Sequence, residues 1–167
     1  MKIYIYLLVV LCFLSPYSYS GNVTGNCISY SKEGRNVTFH LSDSSAVQLQ
    51  LCSPSVVRVW FSPDGKLQRG TPSFAVINEE LEDVGTVQVD EQNACYEMFT
   101  PKLRIRVNKA PFSLQIFDKY QKLLFSDYAD KGHVSEGTRK VEYKTLRRDE
   151  HFFGLGEKTG KLDRRGE

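Results

Sequence analysis

The chain of 167 residues is long enough for one folded domain with a short additional segment. Its net charge of +2 at pH 7 leaves neither sign dominant, so the composition does not support binding to nucleic acid or to an anionic membrane. A chain of this length can bury most of its apolar surface in a single core.

Residues 1–20 have the pattern of a secretory signal peptide. Lys2 provides a positive start, Ile3 to Leu14 is an unbroken apolar run, and small residues precede Gly21. The run is too short to cross a bilayer, which takes about twenty residues as a helix. The alternative is a buried N-terminal strand. We expect the segment to be cleaved and the mature chain to be soluble, either secreted or in a periplasmic or lumenal compartment.

Cysteines after the signal segment number three, because Cys12 lies inside it. In an exported chain we expect one disulfide among Cys27, Cys52 and Cys95 with one thiol left over, and the pairing stays open. The partner of the third could lie in a part of the protein outside this sequence. No pair has C-x-x-C spacing, so no zinc site is expected, and no other metal or cofactor is predicted.

Apolar residues alternate with other side chains in several segments after Asn36, which is the period of half-buried β-strands. These segments are Val47 to Leu51, Val56 to Phe61, Leu103 to Val107 and Phe112 to Phe117, and Lys122 to Phe125 is expected to pair with the last of them after a turn. Turn signals separate them, among them Ser62-Pro63-Asp64-Gly65 and Asn108-Lys109-Ala110-Pro111. Strands at this spacing predict an all-β sandwich or barrel of antiparallel sheets. Glu79 to Asp83 is expected to form a loop or a short helical turn.

Side chains on the other faces of these strands have simple structural explanations. We expect Trp60 to pack between sheet layers, with a stacking platform for a sugar ring as the alternative. Arg104 and Arg106 are expected on a solvated sheet face. The histidines, His40, His133 and His151, share no ligand spacing and are expected to be surface or structural residues.

The segment from Glu142 onward differs, because apolar residues are spread among charges and four glycines follow one another closely: Gly154, Gly156, Gly160 and Gly166. Such glycines indicate backbone that turns tightly. A phosphate-binding loop is excluded, since Gly160-Lys161 is followed by Leu162 and not by serine or threonine. The pattern stops abruptly at Glu167, so we expect the sequence to be truncated.

The segment His151 to Gly160, HFFGLGEKTG, followed by Leu162 to Gly166, LDRRG, resembles the end of the N-terminal domain in glycoside hydrolase family 31. Two earlier stretches also resemble that domain, Val56 to Gly65 with Ser73 to Val76 after it, and Phe112 to Asp127. The resemblance covers roughly Cys27 to Glu167.

This resemblance implies a galactose mutarotase-like antiparallel β-sandwich, truncated before a (β/α)8 catalytic barrel. The domains would be the signal peptide at 1–20, the sandwich at 21–150 and a glycine-rich connection toward the barrel at 151–167. Family members are mostly retaining α-glycosidases of the α-glucosidase or α-xylosidase type, with a nucleophile in a Trp-x-Asp-Met context. Here the only tryptophan, Trp60, precedes Phe61 and Ser62, so no catalytic residue can be assigned in this chain. Retaining chemistry requires two carboxyl groups about 5 Å apart, which a sandwich alone does not provide.

The resemblance further implies that the sandwich supports the barrel, and that the partner of the full-length enzyme is an α-linked oligosaccharide. Asp163, Arg164 and Arg165 are the residues expected nearest the substrate rim. They could contact that rim or pair with barrel charges at the domain interface. In the first case Arg165→Ala should change the kinetics more than the thermal stability.

Two other functions compete with this interpretation. A free-standing carbohydrate-binding β-sandwich module would need no barrel, but the glycine-rich segment then has nothing to pack against. An aldose epimerase would need catalytic histidines and a carboxylate, which cannot be located from the sequence.

Overall fold

The structure, a computed structural model, describes residues 22–67, 81–129, 131–136, 139–154, 156 and 159–166. The expected signal peptide and the stretch 73–76 lie outside these residues. Within the described ranges all the regular secondary structure is β-strand, as the alternation of apolar residues predicts. In those same ranges there is no helix of the length and apolarity that crossing a membrane requires.

The strands in chain order are β1 (Asn22–Val23), β2 (Cys27–Glu33), β3 (Asn36–Leu41), β4 (Ala46–Ser53), β5 (Val56–Ser62), β6 (Val89–Glu91), β7 (Cys95–Phe99), β8 (Leu103–Lys109), β9 (Phe112–Asp118), β10 (Leu123–Ser126), β11 (His133–Glu136) and β12 (Arg139–Glu142).

These strands form three sheets in which every paired neighbour is antiparallel. One sheet has the order β2-β3-β4-β5, a second has β10-β9-β8-β7-β6, and a small third has β1-β11-β12. In each of the two larger sheets, strands that are consecutive in sequence pair with one another, so each sheet is a β-meander. The third sheet brings the start of the described chain beside a late hairpin.

The core lies between the two larger sheets. Phe39 of β3 meets Tyr96 of β7 with ring centroids 5.6 Å apart, and Tyr30 of β2 meets the same ring at 5.1 Å. The fully buried side chains around them come from both sheets: Val37, Val47, Leu49, Leu51, Met98, Ile105, Val107 and Leu114. Burial of each such side chain contributes about 1.5–3 kcal/mol. The two layers with one shared core confirm the predicted antiparallel β-sandwich.

The expected turns also form. At Ser62-Pro63-Asp64-Gly65 the Gly65 amide donates to the Ser62 carbonyl at 3.3 Å, and the Ser62 hydroxyl donates to the Asp64 carboxylate at 2.8 Å. The β8–β9 hairpin turns through a cis Ala110–Pro111 peptide bond, and its strands pair from Leu103 and Asp118 to Lys109 and Phe112. Residues 81–83 form a loop, which is one of the two expected conformations.

Two expectations for the outer sheet faces are wrong. Trp60 does not pack between the layers: it lies on the opposite face of β5 from the core residue Phe61, paired with Gln48, and the Arg58 guanidinium lies 5.1 Å over its ring. Because successive side chains of a strand point to opposite faces, only one face of β5 lies in the core, and Val57, Val59 and Phe61 occupy that face.

Arg104 and Arg106 do not lie on a simply solvated face. Both guanidinium groups donate to the same Glu97 oxygen, from 2.5 and 2.8 Å, and Glu97 is only 5% exposed. The Arg104 guanidinium also lies 5.5 Å from the Phe117 ring centroid. The pairing of β7 with β8 places the three charged residues together, which alternation within one strand cannot reveal.

Candidate functional site

The glycine-rich segment, residues 143–166 and here named the tail, folds back on itself. The Arg164 amide donates to the Phe152 carbonyl at 2.8 Å, which closes the loop between them. Positive φ angles at Gly154, Gly156 and Gly166 allow the reversals, with values of 85°, 87° and 78°. Since side chains are strained at such angles, the tight turning expected from the glycines is confirmed.

Asp163 holds the two ends of this loop together. One carboxylate oxygen accepts a hydrogen bond from the His151 ring nitrogen at 2.6 Å. The other oxygen accepts from the Phe152 amide at 3.2 Å and from the Arg165 amide at 3.1 Å. His151 foremost, and then the Arg165 amide, hold the pKa of the Asp163 carboxyl below its ordinary value. The carboxylate therefore acts as a structural centre of the tail.

The two arginines of the same motif also bind within the tail. The Arg165 guanidinium donates to the Arg148 carbonyl at 2.5 Å and to the Glu150 carbonyl at 2.7 Å. The Arg164 guanidinium donates to the Thr159 carbonyl at 2.9 Å. The structure thus brings all three expected rim residues together, and the polar contacts described here order the tail.

Apolar side chains of the tail remain open to solvent despite this internal order. Phe153 is 61% exposed and Leu162 is 79% exposed, and Phe152 is exposed beside them. The Phe153 ring stacks on the His151 ring, with centroids 6.1 Å apart and planes 22° apart. We name Phe152, Phe153 and Leu162 the tail surface. A folded loop that keeps large apolar groups in water is typical of a surface that another structure covers.

A second group of functional interest surrounds the buried His133, which was expected only to be a surface or structural residue. His133 on β11 is 0% exposed and lies between two carboxylates, Asp127 and Glu142, each 3.6 Å from one of its ring nitrogens. The Lys144 ammonium lies 2.7 Å from Asp127 and 3.3 Å from Glu142. We name these four residues the buried clasp. The β11–β12 register places His133 opposite Glu142, and only that register could have predicted the pair.

The clasp combines a histidine with carboxylates, the residue types that an aldose epimerase requires, but its histidine and its Asp127 carboxylate are not exposed to a sugar. His133 and the Asp127 side chain are both fully enclosed. The two carboxylates are already bridged by a lysine, and within the described residues no group of His, Cys, Asp or Glu is arranged to hold a metal ion. The clasp is therefore a structural element of this fold and not an active site.

Electrostatics in the clasp favour charged side chains. Burial opposes the charge on His133, but Asp127 and then Glu142 outweigh it and raise the His133 pKa above its ordinary value. Burial likewise opposes the charge on Asp127, yet His133 and Lys144 hold the Asp127 pKa below its ordinary value. His133 foremost lowers the pKa of Glu142 to about 2.

Cys27, Cys52 and Cys95 are free thiols, so the disulfide expected among them does not form in this structure. Each sulfur contacts an acceptor close in sequence: Cys27 the Ser29 carbonyl at 3.4 Å, Cys52 the Gln50 carbonyl at 3.6 Å and Cys95 the Gln92 side chain at 3.5 Å. Local strand geometry thus directs each thiol to its own neighbours. Burial raises the pKa of Cys27 to about 11.

Known proteins share this sequence pattern and fold. The family model of the glycosyl hydrolase 31 N-terminal galactose mutarotase-like domain matches residues 46–167. Alpha-glucosidase 2 from Bacillus thermoamyloliquefaciens is 31% identical over 145 residues, which are 86% of this chain and 18% of that protein.

Solved structures give the same result. A family 31 dextranase from Flavobacterium johnsoniae, solved with isomaltotriose, is 56% identical with a TM-score of 0.80, over 87% of this chain and 18% of that one. A cycloalternan-forming enzyme from Listeria monocytogenes has a TM-score of 0.71 at 19% identity, over 89% and 14% of the two chains, and shares the fold.

The chain thus spans less than a fifth of the length of these relatives. The galactose mutarotase-like sandwich inferred from the tail motif is confirmed. The chain belongs to glycoside hydrolase family 31 and contains the N-terminal galactose mutarotase-like domain of that family.

Proposed function

We propose that this chain is the accessory N-terminal domain of a longer, secreted enzyme that hydrolyses α-glycosidic bonds, and that its tail supports a catalytic (β/α)8 barrel. The domain itself performs no bond cleavage. Its role is to hold the barrel in its working geometry.

The exposure of the tail surface is the observation that carries this proposal. Asp163 and Arg165 order the loop internally, while Phe153 and Leu162 stay largely in water. Covering a Phe or Leu side chain contributes about 1.5–3 kcal/mol relative to leaving it exposed. An ordered loop with uncovered apolar groups therefore favours a docking role for the tail.

The substrate class follows from the relatives. One is an α-glucosidase, and the dextranase that is 56% identical was solved with isomaltotriose. We therefore propose an oligosaccharide of α-linked glucose as the substrate of the full-length enzyme. The enclosed His133 and Asp127 offer this sugar no binding position within the sandwich.

Asp163, Arg164 and Arg165 are proposed to act mainly as positioning residues. The Arg165 guanidinium already donates to two carbonyls of the tail, and the Asp163 carboxylate already accepts three hydrogen bonds. Direct contact of these residues with the substrate rim is the competing role. In the full-length enzyme Arg165→Ala should lower the thermal stability and kcat together, with KM nearly constant. A rise in KM at unchanged stability would favour rim contact instead.

Secretion is proposed from the sequence of residues 1–20 alone. N-terminal sequencing of the protein recovered outside the cell should begin at Gly21. Recovery of an intact Met1 would contradict cleavage.

Hydrolysis assays on two proteins test the function. The purified chain and the polypeptide encoded by the continuing reading frame should each be given an aryl α-glucoside and isomaltotriose. We expect turnover only from the longer protein, which should also contain a Trp-x-Asp-Met motif. Turnover by the chain alone, or a stop codon directly after Glu167, would overturn the proposal. The second result would favour a free-standing module.

A further inference from the structure

The buried clasp joins three parts of the molecule. His133 belongs to β11 of the small sheet, and its ring lies against Phe61 of β5 at 5.2 Å and Phe112 of β9 at 6.1 Å between centroids. Asp127 follows β10, and its carboxylate accepts a hydrogen bond from the Leu114 amide of β9 at 2.8 Å. The clasp therefore links the small sheet to both layers of the sandwich.

The start of the tail is attached at the same place. The Tyr143 amide donates to the Gly132 carbonyl at 3.0 Å, the Tyr128 amide donates to the Tyr143 carbonyl at 2.9 Å, and the Thr145 amide donates to the Ser126 carbonyl at 2.9 Å. Lys144, between two of these residues, contributes its ammonium group to the clasp. Weakening of the contacts within the clasp would therefore also weaken the attachment of the start of the tail.

The positions of the two ring nitrogens decide the protonation state of His133. Nε2 faces an Asp127 oxygen and Nδ1 faces a Glu142 oxygen, both at the ion-pair distance of 3.6 Å, and among the described residues neither nitrogen has a hydrogen-bond partner. A neutral imidazole carries a proton on one nitrogen only, so it would direct a lone pair at a carboxylate. The imidazolium presents an N–H to each carboxylate. The positions of the two carboxylates therefore favour the protonated, positively charged ring.

The charge balance supports the same state. Among the described residues, the charged groups facing the ring are Asp127 from the segment after β10, Glu142 from β12 and Lys144 from the segment after β12. The contacts from β5 and β9 are the rings of Phe61 and Phe112, which carry no charge. With His133 protonated the clasp has two positive and two negative groups. Loss of that proton leaves one negative charge in excess inside the fold, which is costly to bury.

We propose that the buried clasp is a pH-sensitive lock that joins the small sheet and the start of the tail to the sandwich. The lock is closed while His133 carries its proton and is weakened when that proton is lost. The inference concerns the folded chain itself and does not depend on the proposed enzymatic role.

The direction of the effect follows from linkage. The raised pKa of His133 gives stability that is present below the ordinary histidine value, about 6.5, and is lost as the pH rises through the raised value. The lowered pKa values of Asp127 and Glu142 give stability that is present above the ordinary carboxyl range and is lost as the pH falls. The lock should therefore be tightest in mildly acidic solution.

Titration of the histidine ring protons by NMR in the full chain tests the lock directly. We expect the midpoint of His133 to lie above the ordinary histidine value of about 6.5. Glu142→Gln should lower the His133 midpoint, because it removes one facing carboxylate. A His133 midpoint below about 6.5, or one that Glu142→Gln leaves unchanged, would overturn the proposal.

Thermal unfolding across the pH range gives the second measurement. The melting temperature of the native chain should fall as the pH is raised from about 6 to about 8.5, through the expected range of His133. Glu142→Gln, at a half-exposed side chain, should fold and flatten this dependence, while His40→Gln should leave it unchanged. His133→Gln should abolish it if that variant folds. A pH profile that Glu142→Gln leaves as steep as in the native chain would contradict the lock.

Discussion

The sandwich and the tail differ in the solvent exposure of their large apolar side chains. In the sandwich Phe39 and Leu49 are completely buried, because two sheets contribute to one core. In the tail Phe153 and Leu162 are mostly in solvent, and order comes from hydrogen bonds to Asp163 and from Arg165. The described strands of the sandwich thus share a covered core, whereas the described apolar side chains of the tail are exposed.

This difference in solvent exposure leads us to expect different roles for the sandwich and for the tail. Apolar burial gives the sandwich its stability, and that stability should not depend on any neighbour. The tail contributes little apolar burial of its own and is therefore expected to matter for association. Mutations in the two regions should consequently affect different measurements.

Removal of a core ring gives the largest expected effect. Phe39→Ala should reduce the free energy of unfolding by about 3–5 kcal/mol, since it deletes a buried aromatic side chain and leaves a cavity. Tyr120→Ala is the matched control, because that ring is 77% exposed, and it should change stability by about 0.5 kcal/mol or less. Chemical denaturation of both variants measures the difference. Equal losses would contradict the location of the core.

Glu97 tests the charged face of the sandwich. Glu97→Gln should cost about 1–3 kcal/mol of unfolding free energy, because it weakens charge-assisted hydrogen bonds from Arg104 and Arg106. Arg104 foremost holds the Glu97 pKa below its ordinary value, so this stability is present near neutral pH and is lost as the pH falls through the lowered pKa.

Acid titration of stability checks the sign of this effect. The variant should lose less stability than the native chain between neutral and acidic pH. Glu91→Gln, at a more exposed ion pair with Lys109, is the control and should have a smaller effect. A native profile that rises on acidification would refute the assignment.

Asp163 tests whether the tail is ordered by its own hydrogen bonds. Asp163→Ala should speed hydrogen exchange at the Phe152 and Arg165 amides by roughly tenfold, the scale of one lost hydrogen bond to a charged group. The denaturation midpoint of the sandwich should stay unchanged. Asp149→Ala, at an exposed position of the same segment, should alter neither measurement. A lowered global midpoint would mean that the tail is part of the cooperative core.

Thiol labelling gives the smallest effect. Cys52 is partly exposed, whereas Cys27 and Cys95 are buried, and burial raises the pKa of Cys27 to about 11. The thiolate is the reactive form, so Cys52 should be alkylated first in the native chain. Mass spectrometry of the labelled peptides distinguishes the order. Labelling of Cys52 only after reduction would instead favour a disulfide at that position.

Local features of the sequence predicted most of the sandwich. Alternation located β4, β5, β8 and β9, and the proline and glycine of residues 62–65 located a turn, because strand faces and turn angles depend on neighbouring residues. Partners on different strands could not be found in this way. The Glu97 pairs and the His133–Glu142 pair require the strand register, which a single sequence does not specify.

In the tail, too, the features that were predictable are local in sequence, and the contacts that were missed are not. Its glycines predicted the turns, and its motif indicated the family, since both are contiguous in sequence. The hydrogen bonds of Asp163 to Phe152 and to His151 join residues that are eleven and twelve positions apart across an irregular loop, and no periodic pattern marks such contacts.

Hydroxyl-radical footprinting of the tail surface most directly tests the claim that the tail docks on a barrel. Phe153 and Leu162 should be oxidised readily in this chain and protected in the polypeptide encoded by the continuing reading frame, with Tyr120 oxidised equally in both. Equal oxidation of Phe153 and Leu162 in the two proteins would contradict the claim.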